Sequence, residues 1–344
     1  MLSEIRVLIY GVGPIGSLIA KAALEKPGLR VVGAIDIDPK KVGRDLGEFL
    51  GLTEKLGVVI SKDAEETLKE VKPDVVLHAT GSYLDKIYPE LVGAMEVGAD
   101  VISSCETLSY PWYRYPELSK RLDEEAKRRG VTILGTGVNP GYRLDSLLAF
   151  LTAVCVNVRG IRAYVYLDAA KRRYSFQRKI GLGLSPQEFK EKLMKGELTA
   201  HVGYAESVLL TALIMGVKLD RVEEGQEPLI ANRPLKTEYF NIKPGQVYGV
   251  SGYGVGYRGN EKFIEIGFTA AVGVREYEDV VIDGEPNVHW RNEEPFIAGD
   301  IATAAMILNS IPRVLIAKPG LITMRDLILP AAVIGNMAEW GTSR

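Results

Sequence analysis

The feature that most constrains the fold is a glycine-rich turn, Gly-Val-Gly-Pro-Ile-Gly, that follows a short apolar run and opens a helical pattern. A strand–turn–helix unit with this glycine spacing is typical of dinucleotide-binding folds. The first glycine permits the tight turn, the second lets a pyrophosphate approach the backbone, and the third allows the helix to pack closely on the strand. We therefore assign to cofactor binding Gly11, Val12, Gly13, Pro14, Ile15 and Gly16.

The end of the second predicted strand bears on the choice between NAD and NADP. Asp36 lies 20 residues after Gly16, where a carboxylate accepts hydrogen bonds from the adenosine ribose hydroxyls and so favours NAD. Lys40, Lys41 and Arg44 follow closely, which leaves a 2′-phosphate possible. The sequence thus predicts NAD or NADP as cofactor, with Arg44 among the candidate contacts.

Short apolar strands alternate with helices over the first part of the chain, which predicts a parallel sheet covered on both faces. Beyond the first two strands, strand-like runs lie at 57–60, 74–79, 100–103 and 131–134, and helical patterns at 63–71, 84–97 and 115–129. At the ends of these strands we assign three further residues to cofactor binding: Ala79, Thr80 and Ser103.

After about residue 150 the pattern changes to strands with period-two alternation and few crossover helices, which favours an antiparallel α+β arrangement. Predicted strands lie at 160–168, 217–224, 235–242, 262–274 and 278–283, and predicted helices at 185–195, 203–215 and 299–317. Pro312 is expected to kink or end the last helix. The Gly- and Tyr-rich stretch 244–260 is expected to form an ordered loop or a hairpin.

These patterns predict an α/β protein in which an N-terminal Rossmann domain with a doubly wound parallel sheet is followed by a C-terminal α+β domain. We expect the Rossmann domain to span residues 1–145 and the substrate and dimerisation domain to span 146–298. The remaining segment, 299–344, is expected to be helical and to pack back on the Rossmann domain.

Composition excludes several classes of function. The 42 basic and 44 acidic residues give a net charge of −2, which offers no broad positive field for nucleic acid. Two cysteines and three widely spaced histidines do not provide a metal site. The N-terminus lacks the unbroken apolar run of a signal peptide, and the longest uncharged apolar stretches are too short to span a bilayer. We therefore expect a cytoplasmic protein without a membrane partner.

The turn Ser103–Glu106 leaves the fifth predicted strand at its carboxyl end, where open α/β sheets bind their ligands. A hydride-transfer enzyme acting on an amine or alcohol needs a base. Glu106 is the candidate, because no histidine lies in a comparable loop; the alternative is a helix cap or a solvated carboxylate. Cys105 beside a nicotinamide would instead make an acylating aldehyde dehydrogenase, but a buried, inert thiol is also compatible with this position.

Five longer runs carry a more specific resemblance: ISSCETLSYPW at 102–112, LGTGVNPGYRLDSL at 134–147, DAAKRRYSFQRKIGLG at 168–183, HVGYAES at 201–207 and GDIATAAMILNSIP at 299–312. Together they resemble the 2,4-diaminopentanoate dehydrogenase family and the related native amine dehydrogenases, over nearly the whole chain. The resemblance implies NAD(P)-dependent oxidative deamination of an amine to a ketone, reversible as reductive amination with ammonia.

The same resemblance implies that Glu106 holds and deprotonates the reacting amine. Where members often have a second glutamate directly after it, this chain has Thr107, which changes the local charge. Dihydrodipicolinate reductase itself, which shares the N-terminal domain, is a poor match, because its paired histidine is missing here.

A substrate such as 2,4-diaminopentanoate needs a cation for its carboxylate, best a bidentate arginine. The candidate substrate contacts are Arg172, Arg173, Gln177, His201 and Tyr142, and Asn139 is a candidate cofactor contact. The basic run around Arg172 is equally compatible with a solvated face or a dimer edge, and His201 with a structural histidine. A homodimer is expected by analogy with similar two-domain enzymes. A non-catalytic NAD(H)-binding regulator is a further alternative.

Overall fold

The computed structural model describes residues 4–294, 296–327 and 336–340. The strands are β1 (Ile5–Tyr10), β2 (Leu29–Ile35), β3 (Ile60–Ser61), β4 (Val75–His78), β5 (Asp100–Ser103), β6 (Thr132–Gly135), β7 (Asn157–Asp168), β8 (Arg221–Ile230), β9 (Leu235–Lys236), β10 (Asn241–Ile242), β11 (Val247–Arg258), β12 (Glu261–Ala271), β13 (Tyr277–Glu285), β14 (Val288–Asn292) and β15 (Gly320–Ile322). The helices are α1 (Pro14–Leu24), α2 (Leu46–Leu50), α3 (Ala64–Val71), α4 (Leu84–Glu96), α5 (Pro116–Arg129), α6 (Ser146–Leu151), α7 (Tyr174–Lys179), α8 (Pro186–Met194), α9 (Tyr204–Ile214), α10 (Gly299–Leu315) and α11 (Met337–Trp340). The chain divides into two compact units: Leu144–Ile297, and the described residues on either side of that span.

The first unit is built on a seven-stranded parallel sheet with the order β15-β6-β5-β4-β1-β2-β3. Strand order reverses beside β1, where open α/β sheets bind ligands outside the carboxyl ends of their strands. Helices α3, α4 and α5 pack side by side, and α1 packs against α10. The central strands are buried at nearly every position, so the predicted doubly wound Rossmann sheet is confirmed.

The in-register pairing of the parallel strands brings their last residues into one row. Tyr10 pairs with His78, His78 with Ser103, and Ser103 with Gly135. Side chains from different parts of the sequence therefore meet at the carboxyl edge of the sheet. The candidate site lies along this row of strand ends.

The second unit contains a six-stranded sheet with the order β14-β13-β7-β12-β11-β8. Its neighbouring strands are antiparallel except for β7 and β12, which run parallel. The predicted α+β arrangement is confirmed, but the sheet is mixed, because the long connection from β7 to β12 returns the chain in the same direction. Helix α9 packs on one face of this sheet through β8, β11 and β12.

The Gly- and Tyr-rich stretch forms a hairpin, since β11 pairs with β12 along its length. Three of its glycines, Gly252, Gly254 and Gly256, face α9. A Cβ at Gly252 would lie 2.2 Å from the Tyr204 hydroxyl, and one at Gly256 would lie 2.7 Å from a Val208 methyl. The glycines therefore allow the helix to approach the strand closely, which explains the composition of this stretch.

The opposite face of the second sheet carries polar and aromatic side chains, and we call it the open face: Arg162, Tyr164, Tyr166, Ser251, Tyr253, Glu265 and Thr269. Two tyrosine rings lie flat across glycines of neighbouring strands. A Cβ at Gly267 would come within 2.6 Å of the Tyr164 ring, and one at Gly225 within 3.0 Å of the Tyr253 ring. The open face is consequently broad and rich in aromatic surface.

Several predicted boundaries are wrong. The strand expected at 57–60 is β3, at Ile60–Ser61, and the strand expected at 217–224 is β8, at Arg221–Ile230. The run 235–242 splits into the short strands β9 and β10, which pair with each other. Pro312 does not end α10, which continues to Leu315; burial of this part of the helix outweighs the missing backbone hydrogen bond.

Parts of the predicted C-terminal segment, residues 328–335 and 341–344, lie outside the described residues. Across the described ranges, no helix combines the length and apolar character needed to cross a membrane. Among the same residues, no group of three or more His, Cys, Asp or Glu side chains is arranged to hold a metal ion.

Candidate active site

The glycine-rich turn joins β1 to α1 and leaves room for a ligand at its second glycine. A Cβ at Gly16 would lie 1.7 Å from the Gly11 carbonyl oxygen, so this position requires glycine for packing. At Gly13, by contrast, a Cβ would meet nothing within 4 Å. Gly13 is the N-cap of α1, whose first turn has Pro14 and neither a side-chain cap nor an acidic residue. The exposed amides and helix dipole suit a pyrophosphate, so these residues fit the predicted dinucleotide.

Asp36 follows β2 and connects the second strand to this turn. Its Oδ2 accepts hydrogen bonds from the Val12 amide and from Lys41 Nζ, each at 2.8 Å, and its Oδ1 accepts one from the Asp38 amide at 2.8 Å. Burial opposes ionisation of Asp36, but the hydrogen bonds from Lys41, Asp38 and Val12 outweigh it and lower its pKa. Asp36 therefore carries a negative charge beside the turn, and Lys41 partly balances that charge.

The remaining candidate cofactor residues of the first unit lie on loops near the carboxyl edge of the sheet. Half-buried Ala79 and exposed Thr80 directly follow β4, and Ser103 ends β5. Asn139 lies after β6 and is joined to Pro140 by a cis peptide bond. Arg44 is exposed in the loop after β2, with its guanidinium 5.3 Å from the Phe49 ring and 3.7 Å from Glu48. The carboxyl ends of four strands thus contribute candidates.

Glu106 begins a short 3-10 helix, Glu106–Ser109, immediately after the end of β5. The side chain of Glu106 is half-buried. Two hydroxyls, one on each side of Glu106, fix the turn: Ser103 Oγ accepts a hydrogen bond from the Cys105 amide at 3.1 Å, and Thr107 Oγ1 accepts one from the Leu84 amide at 2.9 Å. Glu106 is consequently a carboxylate on a rigid turn at the edge where ligands bind.

Cys105 is buried in the same turn, with only 1% of its surface exposed. Burial, reinforced by the nearby charge of Glu106, raises the pKa of its thiol to about 12. Because the thiolate is the nucleophile, Cys105 is in its unreactive form at neutral pH. The structure therefore disfavours the acylating aldehyde dehydrogenase that was left open from the sequence.

Sequence reasoning considered only histidines in loops comparable to this turn, and it therefore missed His78, which lies in a strand. His78 ends β4 and is 1% exposed. Its Nδ1 lies 2.8 Å from Ser103 Oγ, and its Nε2 lies 2.6 Å from Glu90 Oε2 of α4. The available signal was that His78 and Ser103 each end a strand, because neighbouring parallel strands in register bring such residues side by side.

In the second unit, Arg172, Arg173 and Gln177 lie together around the start of α7. Arg172 does not lie on a solvated face: it forms an ion pair with the buried carboxylate of Glu276, which also accepts a hydrogen bond from Lys171 at 3.0 Å. Gln177 is fully buried and donates to the Arg172 carbonyl at 2.7 Å. Its polar atoms thus hold the backbone that carries the arginines.

Arg173 is half-buried and donates from Nε to Ser175 Oγ at 2.9 Å. His201 of the second unit stacks on the Phe268 ring at 4.6 Å and meets Tyr204 edge-on at 4.7 Å. Desolvation, with a smaller effect of Lys179, lowers its pKa to about 3. His201 is therefore a neutral imidazole at neutral pH. Tyr142, in the first unit, is half-buried.

Comparisons with known protein families match both parts of the chain. The family described as 2,4-diaminopentanoate dehydrogenase C-terminal domain matches residues 142–342. The family described as dihydrodipicolinate reductase, N-terminus, matches residues 5–94. The first match covers more than half of the chain.

Among individual relatives, a 2,4-diaminopentanoate dehydrogenase from Acetoanaerobium sticklandii is 32% identical over 98% of this chain and 97% of its own length. An amine dehydrogenase from Streptomyces virginiae is 25% identical over 83% of this chain and 73% of its own length. The solved structure of an amine dehydrogenase from Mycobacterium smegmatis superposes with a TM-score of 0.86 and 28% identity, covering 96% of this chain and 98% of the other. The likeness therefore extends through both units.

Proposed function

Because the chain belongs to the 2,4-diaminopentanoate dehydrogenase family, we propose that it catalyses the oxidative deamination of 2,4-diaminopentanoate or a closely similar amine, reversibly with ammonia. The chain is an NAD(P)-dependent oxidoreductase that acts on CH–NH₂ donors, and its substrate is a small molecule. The observation that carries the proposed site is the position of Glu106, a half-buried carboxylate on a fixed turn at the carboxyl end of β5.

In the proposed mechanism Glu106 first accepts a proton from the substrate ammonium, because a protonated nitrogen has no lone pair with which to expel a hydride. The bound nicotinamide dinucleotide supplies the hydride acceptor. The carbon–nitrogen bond of the substrate then becomes an iminium, water adds to its carbon, and ammonia leaves to give the ketone. Glu106 releases the first proton to solvent before water adds, so that its carboxylate can take a proton from the attacking water and pass it to the departing nitrogen.

For the cofactor we propose contacts with the turn Gly11–Gly16, with Asp36 and with Ala79 and Thr80 after β4. The Ser103 side chain is fully buried, and we propose for it no direct contact with the cofactor. The ionised carboxylate of Asp36 supports NAD over NADP, because it would repel a 2′-phosphate. Replacing Asp36 with serine should shift the ratio of the two affinities toward NADP by about 10-fold or more. Fluorescence titration with NADH and NADPH measures this ratio, and an unchanged ratio would exclude Asp36 from ribose recognition.

For the substrate we propose Arg172 and Arg173 as carboxylate contacts, with His201 and Tyr142 as polar contacts. Gln177 is fully buried and bonded to the Arg172 carbonyl, so we propose that it supports the backbone of the arginines and does not contact the substrate. Arg173 is half-buried and begins α7 as its N-cap, and it is the arginine that we test first. Lowered affinity of Arg173→Ala for a carboxylated amine, but not for 2-aminobutane, would support this assignment.

We propose further that two copies of the chain pair through the open face and that the enzyme works in the cytoplasm. Flat tyrosine rings over glycines give this face the aromatic surface that protein interfaces favour. Sedimentation analysis over a range of protein concentrations tests the pairing.

The deciding experiment follows NAD⁺ and NADP⁺ reduction with 2,4-diaminopentanoate and simple secondary-carbon amines, comparing the wild type with Glu106→Gln. Loss of the base should lower kcat by about 10²- to 10⁴-fold while NADH binding stays intact. Glu117→Gln, on an exposed carboxylate of α5, is the matched control. Undiminished activity of Glu106→Gln would mean that another group is the base, and a wild type silent on every amine would refute the proposed reaction.

A further inference from the structure

A chain of buried hydrogen bonds links helix α4 to the turn that carries Glu106. Glu90 Oε2 lies 2.6 Å from His78 Nε2, His78 Nδ1 lies 2.8 Å from Ser103 Oγ, and Ser103 Oγ accepts from the Cys105 amide at 3.1 Å. His78 and Ser103 are 1% and 0% exposed. The link from His78 to Ser103 therefore crosses from β4 to β5 inside the protein, whereas the Glu90 end of the chain is partly exposed.

The ionised state of Glu90 sets the direction of the first hydrogen bond in this chain. Burial opposes ionisation of Glu90, but hydrogen bonds from His78 and Thr80 outweigh it and lower its pKa. An ionised carboxylate only accepts hydrogen bonds, so Nε2 of His78 carries a proton and donates to Glu90. In the tautomer whose Nδ1 accepts, the Ser103 hydroxyl donates to that nitrogen.

With this direction, the Ser103 oxygen accepts the hydrogen bond of the Cys105 amide. Cys105 is the residue directly before Glu106. The order Glu90, His78, Ser103 resembles a nucleophilic triad in composition. Ser103 is however fully buried, and its oxygen is engaged by backbone, so it is not placed to attack a substrate. The geometry is that of a fixed support.

The same turn is attached to α4 a second time. Thr107 Oγ1 accepts the hydrogen bond of the Leu84 amide at the start of α4, and the Thr107 amide donates to the Ser82 carbonyl at 3.2 Å. Helix α4 is thus linked to the turn on both sides of Glu106, to Ser103 through His78 and to Thr107 directly. Of the two attachments, only the one through Ser103 depends on the protonation pattern of an imidazole.

We propose that His78, oriented by Glu90, is a positioning residue that holds the Ser103 hydroxyl on the Cys105 amide and thereby fixes Glu106 for catalysis. This inference rests on the proposed function of Glu106 as base. His78 itself touches neither substrate nor cofactor in this scheme.

Two substitutions of His78 separate its Nδ1 contact from its Nε2 contacts, since Nε2 also lies 2.9 Å from Thr80 Oγ1. Asparagine places its amide at the position of Nδ1 and keeps an acceptor for Ser103, whereas glutamine reaches the position of Nε2 and keeps only the contacts with Glu90 and Thr80. We expect His78→Gln to lower kcat for amine oxidation by about 10- to 100-fold and His78→Asn by less than about 3-fold, because small misplacements of a reacting group are costly. The KM for NAD⁺ should change little in His78→Gln, which keeps the contact with Thr80.

Ser103→Ala is the second variant, and it should lose kcat as His78→Gln does, because it removes the oxygen that holds the Cys105 amide. Thermal unfolding midpoints of all variants identify any that fail to fold. Equal losses in His78→Asn and His78→Gln would overturn the proposal, since a residue that only fills space does not distinguish the two bonds.

Cys105 offers a readout that does not depend on turnover, because its thiol is buried in the supported turn. Alkylation by N-ethylmaleimide, followed by peptide mass spectrometry, should be about 10-fold faster at Cys105 in His78→Gln and Ser103→Ala than in the wild type. His78→Asn should react as the wild type does, and Cys155 serves as the internal reference. Equal rates in all four proteins would overturn the proposal. A wild type inactive on every amine that nevertheless gave the expected alkylation pattern would refute the proposed function and leave the positioning role standing.

Discussion

The space beside Gly13 makes the cofactor assignment directly testable. An added Cβ there meets no protein atom within 4 Å, and the backbone, with φ −77 and ψ −172, is accessible to any residue. Gly13→Ala should therefore fold normally. Alanine is a poorer N-cap than glycine, but it also restricts the unfolded chain by about 0.4–1 kcal/mol, so the net change in unfolding free energy should stay within about 1 kcal/mol.

Gly13→Ala should instead weaken the binding of the cofactor. The methyl group would occupy the place where a pyrophosphate approaches the amides at the start of α1. Moving the phosphate away loses one hydrogen bond to a charged group, which is about 1.5–3 kcal/mol, or about 10- to 150-fold in Kd. NADH titration by fluorescence, with thermal unfolding of the free protein, measures both quantities on one sample.

Gly16→Ala is the matched control, with the opposite expectation. Its Cβ would lie 1.7 Å from a backbone carbonyl oxygen that no side-chain rotation can relieve, so we expect destabilisation of at least about 1–3 kcal/mol. If Gly13→Ala bound NADH within about 2-fold of the wild type, the pyrophosphate would not approach this position and our reasoning from the open space would be refuted.

Three further predictions address other parts of the molecule. Cys105→Ala should retain amine turnover within about 3-fold, because the wild-type thiol is protonated at neutral pH; a loss beyond about 100-fold would restore the thiolate mechanism. His201 has a pKa of about 3 in the folded chain against an ordinary value of 6.5, so its contribution to stability is complete above pH 6.5 and falls as the pH drops toward 3. Between pH 7 and pH 5 the loss should be at most about 2 kcal/mol, and urea unfolding at the two pH values should show a smaller loss for His201→Gln. Gly267→Ala should weaken dimers by about 10-fold or more in sedimentation experiments, because its methyl would displace the ring of Tyr164 on the open face; a dimer of unchanged strength would move the interface elsewhere.

The Rossmann sheet was predictable because its signals are local. The apolar run of β1, the glycine-rich turn and the helical pattern of α1 are adjacent in sequence, and together they indicate a dinucleotide-binding unit. The mixed second sheet was less predictable, since the direction of β12 relative to β7 depends on a connection of about ninety residues. Period-two alternation indicates that a strand has one buried face, but it does not give the direction of the neighbouring strand.

The residues of the candidate site also differ in how far they could be predicted from local sequence. Glu106 and the glycine turn were assigned from local motifs, whereas His78 acquires its role only through partners 25 and 12 residues away.

The structural role of Thr107 likewise depends on a residue that is distant in sequence. In sequence Thr107 stands only where related proteins often have a second glutamate, and the sequence predicts a change of local charge there. In the structure it is fully buried and accepts the Leu84 amide, 23 positions earlier, at the start of α4. A carboxylate confined to that buried position would bear a desolvation cost that a hydroxyl does not. The turn from Ser103 to Thr107 therefore carries one carboxylate, Glu106, and attaches it to the helix that also supplies Glu90.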